Sequence, residues 1–563
     1  MLAPLLLAAL SFLTQEPSST VPAFDPTKPI TSALLEEEID RSLHWLRARF
    51  DPAKESFGGV AEDAWALLAL AASPRKYRAS DGPFVAKPLA KLLAAQRADG
   101  TFGDEDTTQA AVRALLALGV SEPVQRVPGG AKVWKHDELA PQAVADIARS
   151  ILVTRRSDGS FGSVVESATQ LEHLAWCHSE LRSREGKKAP TVAKPLPSFD
   201  AAQRAQATQS LGRGADYLLA NRIGAAAEGG WGFDGKRDAG ITAMAVGALL
   251  SVPEPRPAPL QAAITDGLDY LVSLQKDDGS IHAGQLANYV TSAAILALVK
   301  GGRAADQARV QKASAFLKVL QADEAEGYSA GDRYYGGVGY GGDERPDLSN
   351  LQMALEALHT AGTPASDPAF QKALAFLQRC QNRSESNDLV LVAEGKTIAA
   401  GNDGGAGYAP GESKAGFVTL SDGKQVPRSY GSMSYALLKG YLFAGLSKDD
   451  ARVQAVWKWL RENYTLDVNP GFQASDDPAA SYQGLFYYFY TMAKALDLLG
   501  EDALTDAAGT AHAWRQELCG RLVAMQRADG SWLNENSPRW FEGNPVLATS
   551  YAMLTLGAAQ GAP

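Results

Sequence analysis

Three cysteines in 563 residues, Cys177, Cys380 and Cys519, stand far apart and include no C-x-x-C pair. That excludes a disulfide scaffold, and in an exported chain an odd count leaves at least one thiol outside any intramolecular bridge. Histidine is scarce as well. Only His173, Cys177 and His178 lie close together among the seven histidines and three cysteines, and a packed helix face accounts for that spacing better than a zinc site does. No motif calls for a cofactor or a metal. Basic charge is in deficit, with 54 Lys and Arg against 64 Asp and Glu and a formal net charge of −10. A nucleic-acid partner demands the opposite balance. No useful run alternates with the period of two that marks a strand, and no G-x-S-x-G marks a serine nucleophile.

Long apolar runs are also lacking, with one exception. Leu2 to Leu13 is apolar and is followed by a polar, Pro-containing stretch. It is too short for an ordinary membrane span and resembles a secretory signal, although no Lys or Arg precedes it. Residues 1–30 therefore read as a signal peptide and linker, and the expected location is secreted or periplasmic.

Glycine-rich corners are abundant. They fall at Phe57-Gly58-Gly59, Asp99-Gly100, Asp158-Gly159, Gly229-Gly230-Trp231, Asp278-Gly279, Gly336-Gly337, Gly404-Gly405 and Asp529-Gly530, with a weaker one at Pro470-Gly471. Most intervals are about 40 to 70 residues, the range of stacked helix pairs. Before each corner runs an amphipathic helical pattern, such as Phe370, Ala373, Leu374 and Leu377 after the Asp367-Pro368 cap. After it comes a second helix rich in Ala and Thr, which lets backbones approach closely. The expected fold class is all-α, built from repeated helical hairpins.

Two corners are nearly identical, QRADGTF at 96–102 and QRADGSW at 526–532. A turn explains Asp-Gly; it does not explain the glutamine and the aromatic. Gln526, Gly530 and Trp532 fit Q-x-x-x-G-x-W, Gln96, Gly100 and Phe102 fit it with Phe, and Gln275 and Gly279 fit it with Ile281. This unit resembles the repeat of the squalene–hopene cyclase and prenyltransferase family. The resemblance covers roughly residues 40–560 and implies an α/α toroid, two concentric rings of helices around a central cavity, over residues 31–563. It implies further that the glutamines tie helix ends to the corners.

The family's chemistry is less evident. A cyclase of this type protonates an alkene with a carboxylic acid of a D-x-D-D motif, kept neutral by burial and by its neighbours. No D-x-D-D is present. The nearest positional match is Asp347-Leu348-Ser349-Asn350, where serine replaces the proton donor and Asp347 also suits a helix N-cap. Asp106, in Asp104-Glu105-Asp106-Thr107, is a second candidate acid, although acidic residues are expected in any first helical turn. Asp343 is a third, within the Gly- and Tyr-rich stretch 331–350. Tyr334, Tyr335 and Tyr340 of that stretch, with Asp403, Tyr408 and Tyr430 of later segments of similar flavour, are candidate ligand-binding residues if they gather at one mouth of the ring. SYQGLFYYFYTM (481–492) would line a cavity with aromatic rings or simply fill a core. The expected partner is an apolar small molecule or lipid, isoprenoid by the resemblance, with peripheral membrane contact; no nucleic acid is expected. The expected activities are a terpenoid cyclase or isomerase with a non-standard acid, a non-catalytic binding toroid, or a polysaccharide-acting enzyme. For the last of these Asp343, Glu344 and Asp403 are the conceivable carboxylates.

Overall fold

A computed structural model describes residues 23–561 apart from 75–76, 78, 80–82, 129–140, 186–198, 225–228, 342–344, 394, 421–422, 473–476 and 478. The leader, Asp343 and Glu344 lie outside the described residues. The chain divides into two compact units, Met1–Lys194 and Pro195–Pro563, where the sequence suggests one repeat domain over 31–563.

The first unit holds α1 (Ser32–Arg47), α2 (Val60–Ala72), α3 (Pro83–Ala94), α4 (Glu105–Ala117), α5 (Pro141–Leu152) and α6 (Val164–Glu185). The Ala- and Leu-rich α2 packs on α3, α4 and α6, and α6 packs on α1 and α5. The second unit holds twelve helices among its described residues. They are α7 (Ala201–Ala220), α8 (Ala239–Leu249), α9 (Ala258–Ser273), α10 (Ala287–Gly301), α11 (Gln307–Val319), α12 (Leu348–Thr360), α13 (Pro368–Cys380), α14 (Gly431–Phe443), α15 (Ala451–Glu462), α16 (Leu485–Leu499), α17 (Trp514–Met525) and α18 (Pro545–Ala559). Their neighbours form a closed circuit: α8 packs on α10, α10 on α12, α12 on α14, α14 on α16, α16 on α18, and α18 returns to α8. The odd-numbered helices flank this circuit, and α17 packs on α7.

The helix starts follow from local chemistry. Asp347 caps α12 by accepting from the Asn350 amide at 2.9 Å, and Asp367 caps α13 ahead of Pro368. Each side-chain oxygen satisfies an amide that the first helical turn leaves without a partner. Left-handed glycines end α10 and α16, at Gly302 and Gly500, as expected of the residue with no Cβ to clash.

One contact recurs at the corners. Gln96 Nε2 donates to the carbonyls of Gly100 (3.0 Å) and Pro123 (2.8 Å). Gln275 donates to Gly279 (3.2 Å) and Arg309 (2.9 Å), and Gln526 to Gly530 and Ser210, both at 2.9 Å. Gln321 and Gln381 do the same to Gly336 and Ala369 and to Gly404 and Arg452, all at 2.9 Å, although the sequence shows no Q-x-x-D-G there. One amide thus holds its own corner and the next structural element together. At all five corners the glycine has φ between 81° and 95°, and a Cβ on it would lie 2.0–2.4 Å from the carbonyl oxygen three residues beyond the one that the glutamine grips.

A second stitch joins six of the corners to the helix that follows. The amides of Phe102, Trp231, Ile281 and Trp532 donate to the hydroxyls of Thr108, Thr242, Thr291 and Thr549 at 3.0–3.1 Å. Ser167 and Ser434 serve Phe161 and Ala406 in the same way. The indoles of Trp231 and Trp532, both 0% exposed, donate back to the carbonyls of Leu218 and Leu522 near the end of the preceding helix, at 2.7 Å.

Each unit closes on its own first helix. In the second unit Gln526, after α17, reaches Ser210 of α7. In the first, Arg155 stands where a glutamine would and bonds the Glu38 carbonyl of α1 at 3.3 Å and its carboxylate at 2.5 Å.

Among the described residues, strands enter only in connections between helices of the second unit. β1 (Gly232–Phe233) pairs with β2 (Lys236–Arg237), and β7 (Leu504–Thr505) with β8 (Ala511–His512). β3 (Val390–Ala393), β4 (Lys396–Ala399), β5 (Phe417–Thr419) and β6 (Gln425–Pro427) form a sheet of order β3-β4-β6-β5 between α13 and α14. These hairpins are too short for an alternating pattern to show, so the all-α reading holds for the mass of the chain and fails in its longest corner.

Gly530→Ala places a methyl against the Arg213 carbonyl in a backbone region that also strains alanine. It should cost about 3 kcal/mol or more in chemical denaturation. Gly235→Ala is the matched control, with φ of 73° and nothing within 4 Å of its Cβ; it should cost about 1 kcal/mol from backbone strain alone.

Candidate functional site

The helices of the circuit are covered on their outer side by the flanking helices, so half-exposed residues in their bodies point toward the middle. Tyr289, Leu296 and Val299 of α10, Tyr487 and Lys494 of α16, and Tyr551, Leu554 and Ala558 of α18 recur at helical spacing, and Met244 of α8 joins them. Spacings of three, four and seven put such residues on one face. On α12 the matching face is polar: Ser349 (8% exposed), Gln352 (0%) and Glu356 (1%). The inner wall is therefore two-sided, apolar along α8, α10 and α18 and polar along α12.

At the N-terminal ends of these helices hydroxyls form a chain. Tyr289 OH bonds Ser349 Oγ, Ser349 Oγ bonds Tyr487 OH at 2.8 Å, and Gln352 Nε2 donates to Tyr487 OH at 3.0 Å. Tyr340 stacks on Tyr289 with ring centroids 5.9 Å apart and shares a hydrogen bond of 3.1 Å with Tyr408 OH. Tyr408 in turn donates to Asp347 Oδ2 at 2.8 Å. Tyr551 meets the Tyr487 ring edge-on at 6.0 Å. Tyr340 and Tyr408 come from the two longest corners, between α11 and α12 and between α13 and α14, which fold over this end. At the other end Glu356 pairs with Lys439 (2.5 Å) and Lys494 (3.1 Å). Burial acts to raise the Glu356 pKa, but the two ammoniums overcome it and hold the carboxyl below its ordinary range.

Two buried carboxyls sit near the tyrosines. Burial raises the pKa of Asp347, opposed by donors from the Asn350 amide, Asn350 Nδ2 (2.8 Å) and Tyr408. Glu542, 1% exposed, accepts from the Tyr487 amide at 2.8 Å and from Asn534 Nδ2 at 2.7 Å, capping α16. Burial pushes it up to about 7. Sequence gives Glu542 no signal: it lies 55 residues beyond the amide it serves.

The sequence candidates separate. Asp347, Tyr340 and Tyr408 meet at the site. Tyr334 lies beside it, under the Arg333 guanidinium at 4.9 Å. Tyr335 turns away and donates to Glu324 at 2.7 Å. Asp403 braces its corner through the Gly405 amide (3.0 Å) and Ser429 (2.7 Å). Tyr430 packs against Phe472, with centroids 5.1 Å apart, and lies within electrostatic reach of Tyr487, Asp347 and Tyr340. Asp106 is exposed in the first turn of α4, in the first unit. An exposed position does not fit an acid enclosed in an apolar cavity. Asp343 falls outside the described residues. Of the 481–492 aromatics, Phe486, Tyr488, Phe489 and Tyr490 are buried, and Tyr487 reaches the hydroxyl chain. Gln352, Tyr289, Tyr551 and Glu542 are the residues that sequence reasoning missed, and Ser349 enters it only as the replacement for a proton donor. Among the described residues no group of three or more His, Cys, Asp or Glu could hold a metal, and no helix is long and apolar enough to cross a membrane.

No family model matches the chain, and no curated protein does. Among solved structures it is similar to a variant of the type II terpene cyclase MstE from Scytonema in complex with its substrate geranylgeranyl dihydroxybenzoate. That pair is 13% identical, with 64% of this chain and 99% of that chain covered and a TM-score of 0.36. The apo enzyme from Scytonema gives 13% identity, 63% and 99% coverage, and 0.36. A protein from Actinoplanes gives 15%, 63%, 99% and 0.34. Superposition at this level assigns no residue of this chain a role.

Glu542 yields a pH test. Its native pKa, about 7, lies above the ordinary 4.5, so the folded protein holds this proton more tightly than the unfolded chain. Its contribution is complete below pH 4.5 and is lost as pH rises toward 7, by on the order of 3 kcal/mol. Denaturation of Glu542→Gln across that window should lack this decline relative to wild type.

Proposed function

We propose that Pro195–Pro563 is an α/α toroid of the squalene-cyclase type that holds an elongated apolar molecule of the isoprenoid class, and that it binds this molecule without starting a proton-initiated cyclisation. The observation that carries the reading is the two-sided inner wall. Met244, Leu296 and Leu554 remain half-exposed where apolar side chains of a closed wall would otherwise be covered, and the tyrosines frame the approach to them. Apolar surface left open inside a concave wall is what a hydrophobic guest covers.

The binding reading is favoured over the catalytic one by the state of Asp347-Leu348-Ser349-Asn350. Ser349 is engaged by two tyrosines, and Asn350 Nδ2 donates to Asp347. Three donors occupy the two oxygens of the Asp347 carboxyl, which leaves neither of them aimed at an alkene. A catalytic reading has one observation in its favour, the burial that raises Asp347 at the end of the Tyr340–Tyr408 hydroxyl relay. On the apolar leader Leu2–Leu13 we place the protein outside the cytoplasm, where a lipid guest would reach it by peripheral contact with a membrane.

Mass spectrometry of lipids extracted from the natively purified protein should find an isoprenoid at close to one per chain. Incubation with squalene or geranylgeraniol should return them unchanged. A cyclised product that Asp347→Asn abolishes would replace the binding reading with the catalytic one, and absence of any bound isoprenoid would remove both.

A further inference from the structure

The lysine end of the interior carries more positive charge than its own acids balance. Lys439, 0% exposed, and Lys494 share the single carboxylate of Glu356. Lys300, one turn beyond Leu296 on the same face of α10, lies within electrostatic reach of Lys494. Its Nζ donates to Ser251 Oγ at 2.9 Å and meets no carboxylate among the described residues. The other acids nearby are already committed, Glu254 to Arg256 and Asp497 to Arg515. Three ammoniums therefore stand against one carboxylate. α10 and α16 lie opposite each other in the circuit, with α8 and α18 on one side and α12 and α14 on the other, so Lys300 and Lys494 approach from facing walls. Both are open to solvent: Lys300 is exposed, and the Lys494 side chain is 38% exposed. Lys300 is nonetheless enclosed enough that desolvation, and then the charges of Lys494 and Arg256, push its ammonium down to about 8. Like charges crowded into a partly desolvated space are unfavourable until an anion joins them.

We infer that this end of the ring holds the carboxylate of the guest, one oxygen accepting from Lys300 and the other from Lys494, with the apolar body running along Leu296 and Leu554 toward the tyrosines. Hydrogen bonds from an ammonium to a carboxylate are the strong, charge-assisted kind. A neutral guest leaves the surplus charge as it stands. A diphosphate brings more negative charge than that surplus and sets the excess beside Glu356. Lys300 is then the residue that selects for the acid, since Lys494 is already shared with Glu356. The body of the guest rests on the isoprenoid-binding reading, to which this adds the head group.

The test compares geranylgeranoic acid, geranylgeraniol, geranylgeranyl diphosphate and palmitate on the purified full-length protein at pH 7, by quenching of intrinsic fluorescence. The isoprenoid acid should bind at least about tenfold more tightly than the alcohol, the size of one hydrogen bond to a charged group, and more tightly than the diphosphate. Lys300→Met, which keeps an unbranched side chain and removes the charge, should weaken the acid by about the same factor. Alcohol binding as tight as that of the acid overturns the inference while leaving isoprenoid binding intact. Tightest binding of the diphosphate overturns it as well. Palmitate bound where no isoprenoid binds removes the isoprenoid reading and supports the carboxylate site. Binding of none of the four overturns both. The wild-type comparisons decide the matter even if Lys300→Met does not fold.

Discussion

The rest of the second unit depends on one side-chain amide used repeatedly. A glutamine after an outer helix donates both hydrogens of its Nε2, one to the carbonyl of its own corner and one to a carbonyl of the next element. The corner glycine then settles on the carbonyl three residues farther along. Because the same group grips both partners, the spacing between successive hairpins is fixed by the geometry of a single amide. Repeats that touch only their neighbours gain stability from such interfaces one after another. The last of them, at Gln526, meets the first helix of the unit, so the series ends in a closed circuit with no open final interface.

Closure has a chemical consequence. The flanking helices bury one side of each inner helix, and whatever stands on the other side faces a shared interior. Residues seven apart on a helix come to line that interior together. Along α10 and α18 they are tyrosine above aliphatic side chains; along α12 they are serine, glutamine and glutamate. Glu356 is balanced there by Lys439 and Lys494, whereas Gln352 Oε1 has no partner among the described residues.

The tyrosine end is built by insertions. The corners before α12 and α14 are the longest of the unit, and they carry Tyr340 and Tyr408 across to Asp347. The same carboxylate that caps α12 thereby anchors a loop from sixty-one residues away. Capping and loop anchoring together engage both oxygens of the Asp347 carboxyl.

Sequence alone determined the helical hairpins, their corners and the likeness between 96–102 and 526–532, because these rest on residues within a few positions of one another. Cap residues, left-handed glycines and the Ala- and Thr-rich second helices were legible for the same reason. Gln321 and Gln381 were not, since their corner glycines lie 15 and 23 residues away and no fixed spacing reveals them. Tertiary structure alone decided that the chain closes twice, through Arg155 onto Glu38 and through Gln526 onto Ser210. It also decided that Tyr335 and Asp403 brace the fold while Tyr289, Ser349, Gln352 and Tyr487 share one network. The physical reason is that a helix face has no inside until the circuit closes, and only then does a side chain become a wall or a filling.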